Sequence, residues 1–173
     1  MSAAPDWQPH LVGELVELQP LTAADFPRLF AVASDPAIWA QHPARDRCQE
    51  PVFREFFSSA LASGSAFLVV DRATGAVIGS TRYCNHDAQR SEVEIGWTFL
   101  ARSHWGGRYN HEMKRLMLDY AWRYVARVYF VVGADNTRSR TALARIGAVL
   151  TGEVLDRDLN GAVVRHVVYE ARR

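Results

Sequence analysis

Hydrophobic and polar residues alternate along residues 92–99, and this two-residue period predicts a β-strand with two unlike faces. Ile95 and Trp97 fall on the apolar face of that strand, whereas Glu94 shares the opposite face with Thr98. The strand is therefore expected to present Glu94 to a different layer of the protein from Trp97.

The period lengthens after a glycine turn at residues 104–108. Apolar residues recur every three or four positions over residues 109–124, which predicts an amphipathic helix, and Lys114 lies off its apolar stripe with other charged residues. A glycine turn that opens a helix leaves backbone N–H groups unpaired, and the helix dipole adds a preference for an anion, most naturally a phosphate. Arg102 and Arg108 flank the turn and can add charge-assisted hydrogen bonds.

The remaining segments predict a single domain over residues 10–173 behind a loose N-terminal segment, residues 1–9. The predicted element order is β-α-α-β-β-β-α-β-α-β-β, an α+β fold with a mixed, mostly antiparallel sheet flanked by helices. Residues 38–50 indicate a short helix or turn and then a mobile loop, and Asn160-Gly161 is a turn signal. The strands are predicted at 10–18, 67–71, 77–83, 93–100, 127–132, 149–155 and 163–169, and the helices at 23–34, 51–62, 109–124 and 137–146.

The composition narrows the class of protein. The 173 residues carry a formal net charge of +1 and 49% of them are hydrophobic, which is typical of a globular chain and gives no reason to expect a nucleic-acid or membrane partner. Two cysteines, and a first segment without a basic region or an apolar core, predict a protein of the reducing cytoplasm. His104 and His111 lack the neighbouring ligands of a zinc site, so no metal is expected.

Two short motifs carry a resemblance to a known family. The strand segment Glu94-Ile95-Gly96-Trp97 and the turn Trp105-Gly106-Gly107-Arg108-Tyr109 resemble the acyl-CoA-binding motif of the GCN5-related N-acetyltransferases, closest to the branch of the ribosomal-protein N-terminal acetyltransferases. Asn136 and Ser139 resemble the Asn-x-x-Ser that precedes the last helix of that family. Arg108 stands where the family's second glycine is expected, and its side chain either obstructs the pyrophosphate or strengthens the site.

The resemblance covers about residues 10–170 and implies a function. It implies direct transfer of an acetyl group from acetyl-CoA to a primary amine, either a protein N-terminus or a small molecule, and it leaves a homodimer open. A non-catalytic acyl-CoA-binding or interaction module is the alternative, favoured by Arg108 and by the lack of a tyrosine in the last predicted helix. An unrelated nucleotide-binding protein is a third option, but the chain lacks Gly-x-Gly-x-x-Gly in an early strand–helix–strand unit.

The same resemblance implies roles for individual residues. Glu94 is expected to take a proton from the amine through water and Ser139 to donate one to the leaving thiolate, although a solvated strand glutamate and a first-turn serine have the same patterns. Asn136 either hydrogen-bonds the pantetheine arm or caps the helix, while Trp39 and His42 are expected at the acceptor pocket. The residues expected to contact acetyl-CoA are Trp97, Thr98, Phe99, Leu100, Arg102, Trp105, Gly106, Gly107, Arg108, Tyr109, Asn110, Asn136 and Arg140.

Overall fold

The helices and strands follow the predicted order along the chain. The computed structural model describes residues 4–159 and 161–173. Its strands are β1 (Leu11–Val12), β2 (Val16–Pro20), β3 (Ala66–Asp71), β4 (Val77–Asp87), β5 (Glu92–Leu100), β6 (Arg127–Gly133), β7 (Val149–Leu159) and β8 (Ala162–Glu170). Its helices are α1 (Phe26–Ala33), α2 (Glu50–Ser63), α3 (Arg108–Ala121) and α4 (Thr137–Arg145), and short 3-10 helices span Ala23–Asp25, Pro36–Trp39, Arg45–Cys48 and Arg102–His104.

The eight strands form one sheet in the order β1-β2-β3-β4-β5-β6-β8-β7. Neighbouring strands are antiparallel except β5 and β6, which pair in parallel and are joined by α3 as the crossover helix. The prediction of a mixed, mostly antiparallel α+β fold is therefore confirmed.

The predicted first strand is instead a short hairpin of β1 and β2, and Glu112 of α3 is the reason. Its carboxylate accepts hydrogen bonds from the backbone N–H groups of Glu14, Leu15 and Val16, at 2.9, 2.7 and 2.8 Å. Burial raises the pKa of Glu112, but these three hydrogen bonds outweigh it and the net shift is downward. A Cβ on Gly13 would lie 2.6 Å from the same carboxylate, so the turn leaves room for glycine alone.

Helices cover both faces of the sheet. On one face, α1 and α2 enclose an aromatic cluster in which Phe53 is fully buried and the rings of Trp39 and Phe99 lie 5.1 Å apart between centroids. On the other face, α3 packs through Met113 and Met117, which are also fully buried. The functional site lies where this second layer meets the middle of the sheet.

Tryptophans hold two segments that were expected to be loose. Trp39, in the segment predicted as a short helix or turn followed by a mobile loop, ends the 3-10 helix Pro36–Trp39. It is 2% exposed, and its indole N–H donates to the carbonyl of Ala33 at 2.8 Å. Trp7 packs against Tyr83 with the ring centroids 4.9 Å apart, which differs from the loose segment predicted for residues 1–9. In both segments a tryptophan ring packs against the core.

Parts of two predictions lie outside the described residues, namely residues 1–3 of the loose N-terminus and Asn160 of the last turn. Gly161 is described, adopts a φ of 83° and donates its backbone N–H to the carboxylate of Asp158 at 2.8 Å. Within the described ranges, no helix combines the length and the apolar character needed to cross a membrane.

A β-bulge in β5 reverses the predicted facing of Trp97. Two residues of β5, Trp97 and Thr98, lie opposite the single Thr81 of β4, and Trp97 adopts a φ of 55°. The prediction that Trp97 shares the face of Ile95 is wrong, because the extra residue shifts the alternation by one position. Trp97 packs instead on Phe56 of α2, with 5.9 Å between the ring centroids.

Candidate active site

A cavity of about 1540 Å³ opens where β5 and β6 separate. The two strands pair only at their first residues, from Glu92 opposite Arg127 to Glu94 opposite Tyr129. Beyond Glu94 they diverge, so backbone groups of both strands face the gap. Side chains from β5, the turn before α3, β6, α4 and β7 form its walls.

The glycine turn places the start of α3 at one end of the cavity. Gly106 and Gly107 have φ values of 106° and 116°, and a Cβ on either would meet no atom within 4 Å. Backbone conformation, not space, therefore requires glycine at both positions. The first helical hydrogen bond runs from the N–H of His111 to the carbonyl of Gly107 at 2.8 Å. The N–H groups at the start of a helix have no partner within the helix, and the prediction that they hold an anion stays a prediction.

Arg108 is the first residue of α3 and lines the cavity. Its φ is not positive, so its backbone does not require the glycine that the family pattern has there. The neighbouring Asn110 also lines the wall. Arg102 and Tyr109 lie outside it: Arg102 pairs with Asp35 at 2.5 Å, and Tyr109 packs edge-on against a histidine ring.

The open part of β5 forms one wall of the cavity, and all four residues predicted there line it: Trp97, Thr98, Phe99 and Leu100. The carbonyl of Leu100 accepts a hydrogen bond from the indole N–H of Trp105 at 2.9 Å, which fixes the turn against the strand. Phe99 is 5% exposed because its ring belongs to the aromatic cluster on the α2 side, so mainly its backbone borders the gap.

Lys114 is the site residue that the sequence pattern missed. It is 4% exposed, and its side-chain nitrogen donates to the hydroxyl of Thr98 at 2.7 Å and lies 5.6 Å from the ring centroid of Phe130. Burial lowers its pKa to about 7. The bulge turns Thr98 toward α3, so the prediction that Thr98 shares a face with Glu94 is also wrong.

Glu94 is a buried carboxylate at the point where the strands separate. It is 2% exposed, lines the cavity, and accepts a hydrogen bond from the side-chain amide of Asn85 at 2.7 Å. A guanidinium nitrogen of Arg157 lies 3.7 Å from the same oxygen. Glu94 is therefore not the solvated strand glutamate that the alternation also allowed. Glu92, by contrast, lies outside the cavity wall.

The thiol of Cys84 lies beside this carboxylate. Burial and then the charge of Glu94 raise the pKa of Cys84 to about 12. A thiol with that pKa stays protonated at neutral pH and is a poor nucleophile. The cavity therefore offers a base in Glu94 without an activated cysteine next to it.

The N-terminus of α4 forms the wall opposite the turn. Asn136 and Ser139 both line the cavity, and the side chain of Asn136 accepts the backbone N–H of Ser139 at 3.3 Å. Asn136 is thus the N-cap of α4, which was one of its two expected roles. The structure does not bring Arg140 to the cavity, since its guanidinium donates to the hydroxyl of Tyr169 and the carbonyl of Ala134, at 3.1 and 2.9 Å.

Arg138 connects three parts of the site. Its guanidinium carbon lies 3.8 Å from the ring centroid of Trp105, and one of its nitrogens donates to the carbonyl of Ile38 at 2.8 Å. The contact joins α4, the glycine turn and the 3-10 helix Pro36–Trp39 across the cavity. Burial lowers the pKa of Arg138.

The other end of the cavity is bordered by the segment before α2. His42 lines it, as expected, whereas Trp39 is held in the core and does not reach the wall. Burial and then the nearby charge of Arg47 lower the pKa of His42 to about 3, so the imidazole is neutral. Within the described part of the chain, no group of three or more metal-binding side chains is found.

Comparison with known proteins assigns the family. The sequence model of the acetyltransferase (GNAT) domain family matches residues 16–149. A GCN5-related N-acetyltransferase from Brucella melitensis has a TM-score of 0.79 at 21% identity, over 95% of this chain and 78% of that chain. The microcin C7 self-immunity acetyltransferase MccE, in complex with acetyl-CoA and AMP, gives 0.72 at 14% identity, over 92% and 93%. A proposed ribosomal-protein-serine acetyltransferase from Vibrio cholerae gives 0.74 at 15% identity, over 94% and 96%.

The fold and the site thus define an acetyltransferase. The chain belongs to the GNAT acetyltransferase family, and the resemblance seen in its two motifs is confirmed. Membership of this family makes the chain an acetyltransferase. The open gap between β5 and β6, lined by the glycine turn and by Glu94, is its candidate active site.

Proposed function

We propose that this chain acetylates a primary amine by direct transfer in the cavity between β5 and β6, with no acyl-enzyme intermediate. The observation that carries the proposal is the separation of the strands immediately after Glu94, which places a buried carboxylate beside the gap that leads to the glycine turn. The pyrophosphate of acetyl-CoA lies at the N-terminus of α3, and Arg108 adds charge to that end. The pantetheine arm extends along the open edge of β5.

The reaction follows from this placement. The amine nitrogen attacks the thioester carbonyl carbon, a C–N bond forms, and the C–S bond breaks with release of the thiolate. Glu94 takes the amine proton, through water, and the hydroxyl of Ser139 is the nearest proposed proton donor to the thiolate. Cys84 supplies no covalent step, because its thiol stays protonated.

The proposed reaction is compatible with two classes of acceptor amine. A protein N-terminus suits a site with a single carboxylate base, because an α-amino group has a reference pKa near 8 and a lysine near 10.4. That reasoning favours the N-terminal acetyltransferase branch suggested by the two motifs, and small-molecule amines are the other option. The location we propose is the cytoplasm, where acetyl-CoA is available and the two free cysteines stay reduced.

We also propose that residues 10–173 form one acetyltransferase domain that assembles as a homodimer. β7 is the last strand of the sheet, and large apolar side chains along β7 and β8 are exposed. An exposed edge strand with such side chains favours pairing with a second copy. They are Val149, Leu150, Val154, Leu155 and Val163, with exposures of 45%, 46%, 51%, 42% and 73%. Light scattering over a range of concentrations tests this, and a monomer at every concentration contradicts it.

The proposed activity is tested in two stages. Thermal unfolding is measured first with acetyl-CoA, CoA, ATP and NAD at equal concentrations. A ligand at about 100 times its dissociation constant stabilises the fold by roughly 2.7 kcal/mol, so both CoA species are expected to raise Tm by several degrees while ATP and NAD do not. Thiol release is then followed with a panel of amines. CoA binding without thiol release for any amine supports the non-catalytic alternative instead.

A further inference from the structure

Two arginines share one aromatic ring at the acceptor end of the cavity. The guanidinium carbon of Arg82 lies 4.1 Å from the ring centroid of Trp97, and that of Arg47 lies 5.0 Å from it. Phe56 is the second ring in contact with both, at 5.5 Å from Arg82 and 5.0 Å from Arg47. The two positive charges are thus held close together by rigid aromatic surfaces.

Neither arginine has an anionic partner within the described residues. No carboxylate oxygen lies within 4.0 Å of either guanidinium group there. Arg82 is 4% exposed, and only one of its nitrogens finds a hydrogen bond, to the hydroxyl of Ser59 at 3.3 Å. Its two other side-chain nitrogens are buried with no partner in that part of the chain. Such an arrangement is unusual, because buried charges are normally paired.

The electrostatics of the pair favour an incoming anion. Burial lowers the pKa of Arg47 to about 10, and the charge of Arg82 adds to the shift. Burial likewise lowers the pKa of Arg82 to about 10, although Cys84 and Glu94 oppose the change at longer range. Both groups therefore stay positive at neutral pH, and each is destabilised by the other until a negative charge is placed between them.

The pair also lies where an acceptor substrate would reach it. Arg47 and Trp97 line the cavity, and so does Glu94, the base of the proposed reaction. Arg82 lies behind them, on the ring of Trp97. One bound molecule can therefore present its amine at Glu94 and a second group at Arg47. Arg47 offers the planar fork of N–H donors that suits a carboxylate or a phosphate.

We propose that the acceptor of this enzyme is an amine that carries an anionic group, a carboxylate or a phosphate, which Arg47 binds with Arg82 supplying additional positive charge. The proposal rests on the proposed acetyl transfer and narrows its substrate class. The anionic group orients the acceptor, because it binds at one end of the pocket while the amine meets the thioester at the other.

The test compares matched amines with and without the anionic group. γ-Aminobutyrate is compared with its amide, and O-phosphoethanolamine with ethanolamine, using thiol release corrected for the fraction of free amine. We expect kcat/KM to favour the anionic member of at least one pair by about tenfold or more, the usual effect of a hydrogen bond to a charged group. The pair of amines that shows the preference tells whether the anionic group is a carboxylate or a phosphate.

Variants assign the preference to the arginine pair. In Arg47→Gln, the kcat/KM values for the two amines of the discriminating pair are expected to become nearly equal. Arg45→Gln is the control, because it removes the same charge from the same short 3-10 helix at an exposed position outside the cavity. It is expected to keep the kcat/KM preference for the anionic amine. The thermal shift with acetyl-CoA shows that each variant is folded. Equal kcat/KM within both pairs, or a preference that survives in Arg47→Gln, overturns the inference while leaving acetyl transfer itself intact.

A binding measurement covers the case in which none of these amines is acetylated. Calorimetric titration of the CoA-bound protein is carried out with both members of each pair. Tighter binding of an anionic member by about tenfold, lost in Arg47→Gln, supports the site. Equal binding of the paired molecules, or no binding of either anionic molecule, overturns it. Failure of the proposed function is recognised by a different result, namely that neither CoA nor acetyl-CoA raises Tm.

Discussion

The side-chain nitrogen of Lys114 donates a hydrogen bond to the hydroxyl of Thr98 across 2.7 Å and so joins α3 to the open part of β5. Lys114 is 4% exposed, and the shared hydroxyl also lies 2.9 Å from the hydroxyl of Thr81. The lysine is thus part of the wall of the cavity between β5 and β6 and not of a solvated helix face.

This contact predicts a pH-dependent stability. Burial lowers the pKa of Lys114 to about 7, whereas an unfolded lysine has a pKa near 10.4. Between these values the unfolded chain holds a proton that the folded chain lacks, so the contribution of Lys114 to stability improves as pH rises from 7 toward 10. Well below pH 7 the lysine is protonated in both states, and the unfavourable contribution is constant.

Urea unfolding of the wild type and Lys114→Met at pH 6, 7, 8 and 9 measures this effect. The free energy of unfolding of the wild type, taken relative to the variant, is expected to rise by only a few tenths of a kcal/mol from pH 6 to 7. It then rises by at most about 1.4 kcal/mol per pH unit. Other titrating groups cancel in the difference, so a difference that does not change with pH contradicts the buried, mostly neutral amine.

Glu94→Gln is expected to reduce turnover. The amide keeps the shape of the side chain but cannot accept the amine proton, so kcat should fall by about 100-fold, the lower end of the usual range for a general base. The KM for acetyl-CoA should change by less than about threefold, because Glu94 is proposed to act on the amine and not to bind the cofactor. Steady-state kinetics with a saturating amine provide both numbers.

Glu92→Gln is the matched control for this experiment. Glu92 lies two residues earlier in the same strand, is also buried, and pairs with Arg127 at 2.8 Å outside the cavity wall. Its variant should lose stability while kcat stays close to that of the wild type. An unchanged kcat in Glu94→Gln removes Glu94 from the mechanism.

Much of the fold could be predicted because it follows from local periods. The alternation in β5, the glycine turn and the amphipathic α3 indicated the central strand–turn–helix unit, and the element order followed from similar patterns. Glu94 was named from the sequence through the family resemblance, and the structure shows that it lines the cavity. The position of Gly107 followed from the turn itself, because few other residues adopt its conformation.

The rest of the site depends on contacts between segments far apart in the chain. The bulge at Trp97 exists because β4 has one residue fewer than β5 at that point, which the alternation of β5 alone does not reveal. Lys114 is buried because β5 and β6 separate beneath it, and Glu112 is buried because it turns the chain between β1 and β2. Arg47 lies in a short 3-10 helix that has no apolar period to place it.

Arg108 is expected to strengthen the binding of CoA. It is the first residue of α3, lines the cavity and has a conformation open to any residue, so its side chain can lie along the pyrophosphate. Arg108→Gln should raise the dissociation constant of CoA by about tenfold, as loss of a charged hydrogen bond does. Arg102→Gln should leave it unchanged, because Arg102 pairs with Asp35 outside the wall. Tighter binding by Arg108→Gly would show that the side chain obstructs the site.

Gly107→Ala tests the turn that is proposed to bind the pyrophosphate. Gly107 has a φ of 116° with open space around it, so an alanine is strained by its backbone and by nothing else. The turn relaxes toward a negative φ, which moves the N–H groups at the start of α3 and should raise the KM for acetyl-CoA by about tenfold or more, since strain of this kind amounts to about 1–3 kcal/mol.

Gly75→Ala separates this local effect from a general loss of stability. Gly75 lies in the turn between β3 and β4, has a φ of 72° and is likewise free of neighbours within 4 Å. Both variants should lower Tm by a few degrees, because both put alanine where φ is positive. Gly107→Ala alone should raise the KM for acetyl-CoA. If both variants raise it equally, the turn before α3 has no special part in binding the cofactor, and the anion site must be sought elsewhere along the cavity.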